Sequence, residues 1–395
     1  MSIAASPKWT AVPQQGYQIN STAISADGSR CILGTSQEYD SGNFSVFCYN
    51  SDSNQPVWQD PIGDESYQGV YWVAISGNSQ YAAAGGSVGE KDSSKGFLRA
   101  YDASNGTILL DESLDSRVNQ VAMSDSGEVI SAISGNFLNV YCLVSGRFQL
   151  TASHTFDTQY CQSGVMSADG RIMVVGTTRS YDGTEGAAGQ VVMLEFANNS
   201  LSVKTSYDAD VGIQRVAITS DGSWWGASRH DGQAMAFNSS VSIPSGTPVW
   251  TYAPDNLDLG VAYAFSIAKG TDGNVYAVCG ANLYGKAYGC LYAVQSPANT
   301  TSATSPTLQW QYTLDYDPNP GLNMDSNATL VTATDGQPES GGKESAGNFY
   351  LFDRATGDLE WKFDTTLMNW PMAISANGNA IFGASDNGTA YYWDS

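Results

Sequence analysis

An all-β fold is predicted by three features of this chain: an apolar–turn–apolar unit that recurs eight times, abundant glycine and tyrosine, and few charged residues. The copies read STAISADGSRCILGTS from Ser21, WVAISGNSQYAAAGG from Trp72, QVAMSDSGEVISAIS from Gln120 and GVMSADGRIMVVGTT from Gly164. They continue as RVAITSDGSWWGAS from Arg215, FSIAKGTDGNVYAVCG from Phe265, a degraded GLNMDSNATLVTATDG from Gly321, and PMAISANGNAIFGAS from Pro371. Their spacing of about 49 residues is the length of one four-stranded blade, so the expectation is an eight-bladed β-propeller, with seven blades as the alternative count. With 41 Gly, 22 Tyr and only 14% charged residues, the composition is that of short strands joined by tight turns.

Within a copy, period-2 alternation marks the strands and Ser/Asp/Asn/Gly clusters mark the turns. In the last copy MAIS is a strand, ANGN a turn, AIFGAS the second strand, DNG a turn and TAYYWDS the third strand. The fourth strand is missing there, while an unmatched PKWTAV stands at Pro7–Val12. That segment resembles PVWQD (Pro56), PVWTY (Pro248), LQWQY (Leu308) and LEWKF (Leu359), each of which follows a third strand. Residues 7–12 are therefore expected to complete the last blade and remove the free edges of an open sheet. The repeat is uninterrupted by a linker or charge block, which predicts a single domain over 1–395.

The segment LFDRATGDLEWKF (Leu351–Phe363), and more loosely AYDASNGTILLDE (Ala100–Glu112), resembles the tryptophan-docking repeat of quinoprotein-like propellers, and the S-x-D-G turns resemble WD-type repeats. The resemblance spans the chain and implies fold more than activity, because such propellers host dehydrogenases, lyases, scaffolds and lectins. Adjacent cysteines of the quinone-dependent dehydrogenases are lacking, as is a lipid-attachment cysteine near Met1.

Seventeen basic against 39 acidic residues give a net charge of −22, which repels phosphate backbones and argues against nucleic acid as a partner. No apolar run reaches the roughly 20 residues of a membrane helix, so no membrane span is expected. The residues Met1–Thr10 lack the basic start and apolar core of a leader; an extracytoplasmic or secreted protein is nevertheless the expectation.

Ala23, Ala74, Ala122, Ala217 and Ala373 recur on the innermost strand, where blades converge and small side chains fit. Trp9, Trp58, Trp250, Trp310 and Trp361 are expected between adjacent blades. Of six cysteines none forms a C-x-x-C, which excludes the common zinc spacing. Cys31/Cys48 and Cys279/Cys290 lie nearly symmetrically about hairpin tips and are expected to face each other across strands, bonded or reduced; Cys142 and Cys161 give no such signal.

Function is expected on the face made by the loops from outer to next inner strand and from second to third strand. Five of the latter are long: Gln37–Asn43, Ser87–Gly96, Thr178–Gly189, Asn282–Gly289 and Gly336–Gly347, as a recognition surface requires. Carboxylates close the outer strands at Asp60, Asp111, Asp157, Asp208, Asp255, Asp315 and Asp364. They are read either as turn caps or as an acidic ring able to hold a divalent cation such as calcium. The best local candidate is Asp315-Tyr316-Asp317-Pro318-Asn319, which supplies three oxygen ligands at calcium-loop spacing but has Pro320 and Ser326 where an EF-hand needs glycine and glutamate.

Ahead of the inner strands stand Tyr17, Tyr67, Tyr71, Trp72, Arg117, Tyr160, Arg215, Tyr263 and Trp370. Rings that stack, with a few Arg and amide groups that orient, suit a glycan or another polar ligand at the channel mouth. Catalytic equipment is sparse. His154 falls on an outer strand, and His230, between Arg229 and Asp231, is the one histidine on the functional face, where a carboxylate neighbour is expected to raise its pKa for acid–base work. Two readings follow: a binding or scaffold propeller for a glycan, peptide or protein, or alternatively a cofactor-free or cation-assisted lyase or hydrolase using His230 and Arg215.

Overall fold

The computed structural model describes residues 3–157, 159–179, 188–338 and 344–395. Among them the chain forms six four-stranded antiparallel sheets and one eight-stranded sheet, the arrangement of a β-propeller-like fold. The first strands of successive units neighbour one another in a ring: Gln18–Ile24, Ser66–Ile75, Val118–Met123, Tyr160–Met166, Ile213–Ile218, Leu259–Lys269, Asp317–Met324 and Asn369–Ile374, which returns to Gln18–Ile24. No helix is long and apolar enough to cross a membrane among the described residues.

The turn between the first and second strands explains the S-x-D-G signature. Asp27 Oδ1 accepts bonds from Ser25 Oγ at 2.8 Å and the Ser29 amide at 2.9 Å, while Ser25 Oγ accepts the Arg30 amide at 3.1 Å. Gly28 closes the turn at φ 78°, a conformation that costs a side-chain-bearing residue strain. In the degraded copy Asp325 takes over the serine's role, accepting the Thr329 and Leu330 amides at 2.7 Å each, and Ala328 carries the positive φ at 54°. Neighbouring turns are also joined to one another, Ala26 N to Gly77 O at 3.2 Å, Asn78 N to Asp125 O at 3.0 Å and Asp125 N to Ala168 O at 2.8 Å.

Blades are keyed together by indoles. Trp58 Nε1 donates to Ala103 O at 2.9 Å and Trp310 Nε1 to Arg354 O at 2.8 Å, each in the turn before the next unit's outer strand. Gly106 and Gly357 lie under these rings, where an added Cβ would stand 2.8 Å and 2.5 Å from the indole Cγ. The glycine of the tryptophan-docking segment is thus a space requirement. Trp58, Trp250, Trp310 and Trp361 are all buried, and Trp361 stacks on Trp393 with centroids 5.4 Å apart.

The chain's ends meet. Trp9–Ala11 pairs with Ala390–Asp394 in the register Trp9↔Tyr392, Thr10↔Tyr391, Ala11↔Ala390. Trp9 stacks on Tyr392 at 5.2 Å and donates to Ser51 O at 2.9 Å, Lys8 pairs with Asp394 at 2.6 Å, and Trp393 Nε1 donates to Ala5 O at 3.0 Å.

Two expectations are corrected here. Cys31 stands opposite Tyr49 and Cys48 opposite Ile32, so the two thiols are one register step apart and face different neighbours; Cys279 stands opposite Tyr292 and Cys290 opposite Ala281, a diagonal two steps off. All six cysteines are free. The Gln37–Asn43 segment is also no loose loop. It prolongs the strand Arg30–Gly42, whose far end pairs with the next inner strand through Ser36↔Gly69, Ser41↔Tyr67 and Gly42↔Ser66, and this pairing fuses two four-stranded sets into the eight-stranded sheet. The Thr178–Gly189 and Gly336–Gly347 loops lie partly outside the described residues.

Candidate functional site

Every inner strand carries a register shift, and in five of them it spans a single extra residue: between Ile19 and Ser21, Val70 and Trp72, Val118 and Gln120, Cys161 and Ser163, and Ile213 and Arg215. A bulge at a strand entrance re-aims the side chains beside it. The residue immediately after the bulge faces a central cavity of about 650 Å³ walled by the inner strands. In three copies that residue does structural work. Ser21 Oγ accepts the Val73 amide at 2.9 Å, Gln120 Oε1 the Gly164 amide at 3.0 Å and Ser163 Oγ the Val216 amide at 3.2 Å, stitching each inner strand to a neighbour.

Trp72 and Arg215 occupy this same repeat position and offer no acceptor. Instead they meet, the Arg215 guanidinium carbon standing 5.6 Å from the Trp72 ring centroid. Trp72, Tyr71, Trp370 and Arg215 all line the cavity, together with Glu38, Asn20 and Gln120. Arg215 Nε is buried without a hydrogen-bond partner, and none of the ion pairs among the described residues includes Arg215. Burial lowers the guanidinium pKa and the nearby Tyr71 opposes it; arginine stays charged regardless.

A second cluster adjoins the first. The Arg117 guanidinium lies 4.1 Å from the Tyr71 ring centroid, and Arg117 donates to Gln68 Oε1 at 2.8 Å and to Asn119 Oδ1 at 3.1 Å. Asn119 Nδ2 reaches the Tyr160 hydroxyl and Cys161 O. Tyr71, Arg117 and Tyr160 therefore form one network, with Tyr71 as its contact with the cavity.

A third group was not singled out from sequence. Asp386, in the turn after Ala380–Ser385, stands beside the Trp370 indole, which favours its ionised form, and its Oδ1 is buried without a partner. Burial and the charge of Glu38 push its pKa up to about 7. A carboxyl raised from the usual value near 3.9 destabilises the fold when ionised, so its contribution is best below about pH 4 and declines as pH rises to about 7. Asp335, held at about 6 mainly by burial, acts in the same direction. The expected result for Asp386→Asn is a smaller loss of stability between pH 4.5 and 8 than in the parent, by up to about 3 kcal/mol, read from urea midpoints at each pH. Parallel curves for the two proteins would show that Asp386 is ionised throughout.

Other expected site residues lie elsewhere. Tyr17 packs edge-on against Phe44 at 5.0 Å, Tyr67 lies under Lys91 at 5.7 Å, and burial with the Asp317 charge raises the Tyr263 pKa; none of the three lines the cavity. His230 is half-buried, not on the cavity wall, and its Nε2 meets Gln214 Oε1 at 2.8 Å. Burial lowers its pKa despite Asp231, the reverse of the sequence expectation, since Asp231 is engaged by Arg229 at 2.7 Å. His154 is half-buried against Phe156 at 4.8 Å.

The aspartate series does not ring the cavity. Asp60 and Asp111 share Arg99 at 2.9 and 3.1 Å, Asp208 accepts from Gln190 at 2.6 Å, and Asp315 and Asp364 share Lys362 at 2.8 and 3.4 Å. Nor do Asp315, Asp317 and Asn319 converge as calcium ligands. Asp317 and Asn319 lie in an extended strand opposite Gly336 and Thr334, and the Asn319 amide donates to Asn369 O at 2.6 Å. Among the described residues no group of three His, Cys, Asp or Glu side chains has metal-site geometry.

Comparison with models of known protein families finds no match to this chain, and comparison with curated protein sequences likewise finds none.

Proposed function

We propose that this protein is an eight-bladed propeller, closed by its N-terminal strand, that recognises a glycan at the mouth of its central cavity. The blade count rests on reading the eight-stranded sheet as two blades bridged by the long hairpin of the first. The observation that carries the functional reading is the repeat position held by Trp72 and Arg215: where three other copies place an acceptor for a neighbouring strand, these two place a ring and a cation into a cavity of about 650 Å³. Indoles and tyrosine supply stacking faces for sugar rings and the amides of Asn20 and Gln120 orient hydroxyls. Action outside the cytoplasm is part of the same proposal.

Trp72→Leu tests it, because leucine keeps the apolar contact with the Ala74 and Val118 cluster while removing the ring. A glycan array, followed by calorimetric titration of the best-bound glycan, should show affinity at least tenfold weaker with a melting temperature within about 4 °C of the parent. Full affinity in the variant would refute the site.

The enzymatic alternative gains nothing from the arrangement of these groups: neither His230 nor Asp386, whose pKa burial pushes up to about 7, lines the cavity.

A further inference from the structure

Arg215 is an anomaly in a chain of net charge −22. Arg99, Arg171 and Arg229 are held by carboxylates, at 2.9, 3.2 and 2.7 Å respectively. Arg354 caps Ala328 O and lies over Tyr276 at 3.5 Å. Arg30 and Arg147 also form none of the ion pairs among the described residues, but among those residues only Arg215 has a guanidinium nitrogen, Nε, that is buried without an acceptor; its guanidinium carbon stands 5.6 Å from the Trp72 ring centroid. A buried donor left without an acceptor destabilises the fold, more so when it is charged. Thirty-nine carboxylates are available in this sequence to answer it, and Glu38, on the same cavity wall, does not pair with it.

We propose that the missing acceptor is the ligand's own carboxylate, and that the glycan recognised at the mouth is acidic: a uronic acid residue whose carboxylate is taken by Arg215 while Trp72, Tyr71 and Trp370 flank its ring. This rests on the cavity-mouth reading above and specifies the charge of the ligand. A guanidinium presents parallel N–H groups that match a carboxylate two-to-two, and the partial exclusion of water inside the cavity strengthens that pair relative to the surface. The neighbouring Asn20 and Gln120 amides suit the ring hydroxyls. Long-range repulsion from the acidic surface acts against an anion, so capture occurs at contact distance. Association of the acidic ligand should accordingly become faster as salt screens that repulsion.

The test uses oligogalacturonate and its fully methyl-esterified form, in which each carboxylate is replaced by an uncharged methyl ester, titrated into the full chain and into Arg215→Met and Arg215→Lys. Expected is binding of the free acid at least tenfold tighter than the ester, loss of that preference in Arg215→Met, and partial return in Arg215→Lys. Circular dichroism melts establish that each variant is folded, and Arg215→Lys keeps the comparison valid if Arg215→Met is unstable. Ester and acid binding equally, with both weakened by Trp72→Leu, would overturn the carboxylate assignment and leave the mouth site standing. Binding of neither polymer, while a peptide with a free C-terminal carboxylate binds in an Arg215-dependent way, would overturn the sugar assignment. Binding unaffected by every one of these substitutions would overturn both readings.

Discussion

Removal of residues 1–12 is expected to leave a protein that aggregates or melts at least about 10 °C lower. The deletion strips Ala390–Asp394 of its outer pairing partner, leaving only Ala380–Ser385 on its inner side, and exposes its outer backbone groups as a sheet edge. It also removes the Trp9 ring stacked on Tyr392, the indole bond to Ser51 O and the Lys8–Asp394 pair, and leaves Trp393 Nε1 without Ala5 O. Since Trp9 also contacts Tyr49 and Phe382 at 5.6 and 5.9 Å, the strand joins the last unit to the first as well as completing the sheet. Size-exclusion chromatography and calorimetry of the truncated chain check this. A monomer with the parent's melting temperature would show that the strand is dispensable.

The second large effect is expected at Asp335, which is fully buried and accepts five hydrogen bonds: from the Asp315, Tyr316 and Asn348 amides at 3.1, 3.0 and 2.8 Å, from Asn348 Nδ2 at 2.9 Å and from the Tyr350 hydroxyl at 2.6 Å. In the aligned position of other copies a threonine does part of this work, Thr35 Oγ1 accepting the Ser45 amide at 2.9 Å and Thr177 Oγ1 the Gln190 amide at 3.0 Å. The degraded copy has replaced the hydroxyl by a carboxylate that also fixes the segment entering the strand Asp317–Met324. Asp335→Ala leaves these donors buried without an acceptor and should cost on the order of 3–5 kcal/mol, with Asp335→Thr recovering only the shared bond. Denaturant midpoints displaced by that amount at unchanged slope are expected; a shift below about 1 kcal/mol would mean that water replaces the carboxylate.

Architecture was legible in the sequence because it depends on features that repeat. The turns need an acceptor at a fixed offset and a residue tolerant of positive φ, and the indole strands need a small residue beneath the ring, so Asp27, Gly28, Trp58 and Gly106 announce themselves by pattern. The cavity site was partly legible for the complementary reason: Tyr71, Trp72, Arg215 and Trp370 are departures from the repeat at its innermost strands. Asp386 was hidden because an aspartate in a Ser-Asp-Asn-Gly turn looks like a turn cap, and only burial beside Glu38 and Trp370 distinguishes it. The cysteine pairs misled because the true turn centre sets the register: Asn282 pairs with Gly289 and Arg30 with Asn50, so both hairpins are regular but are centred beyond the midpoint of their cysteines. The aspartate series misled by proximity in sequence: Asp60 and Asp315 close outer strands and pair with cations on neighbouring units, away from the axis.

The most direct test of the cavity-mouth account is a crystal structure of the protein with the tightest-binding glycan from an array. The account predicts a sugar ring within the central cavity, in contact with the Trp72 indole and with Arg215. A glycan seated on the outer rim loops, or on the face of the Ser-x-Asp-Gly turns, with the Trp72–Arg215 contact undisturbed, would contradict it.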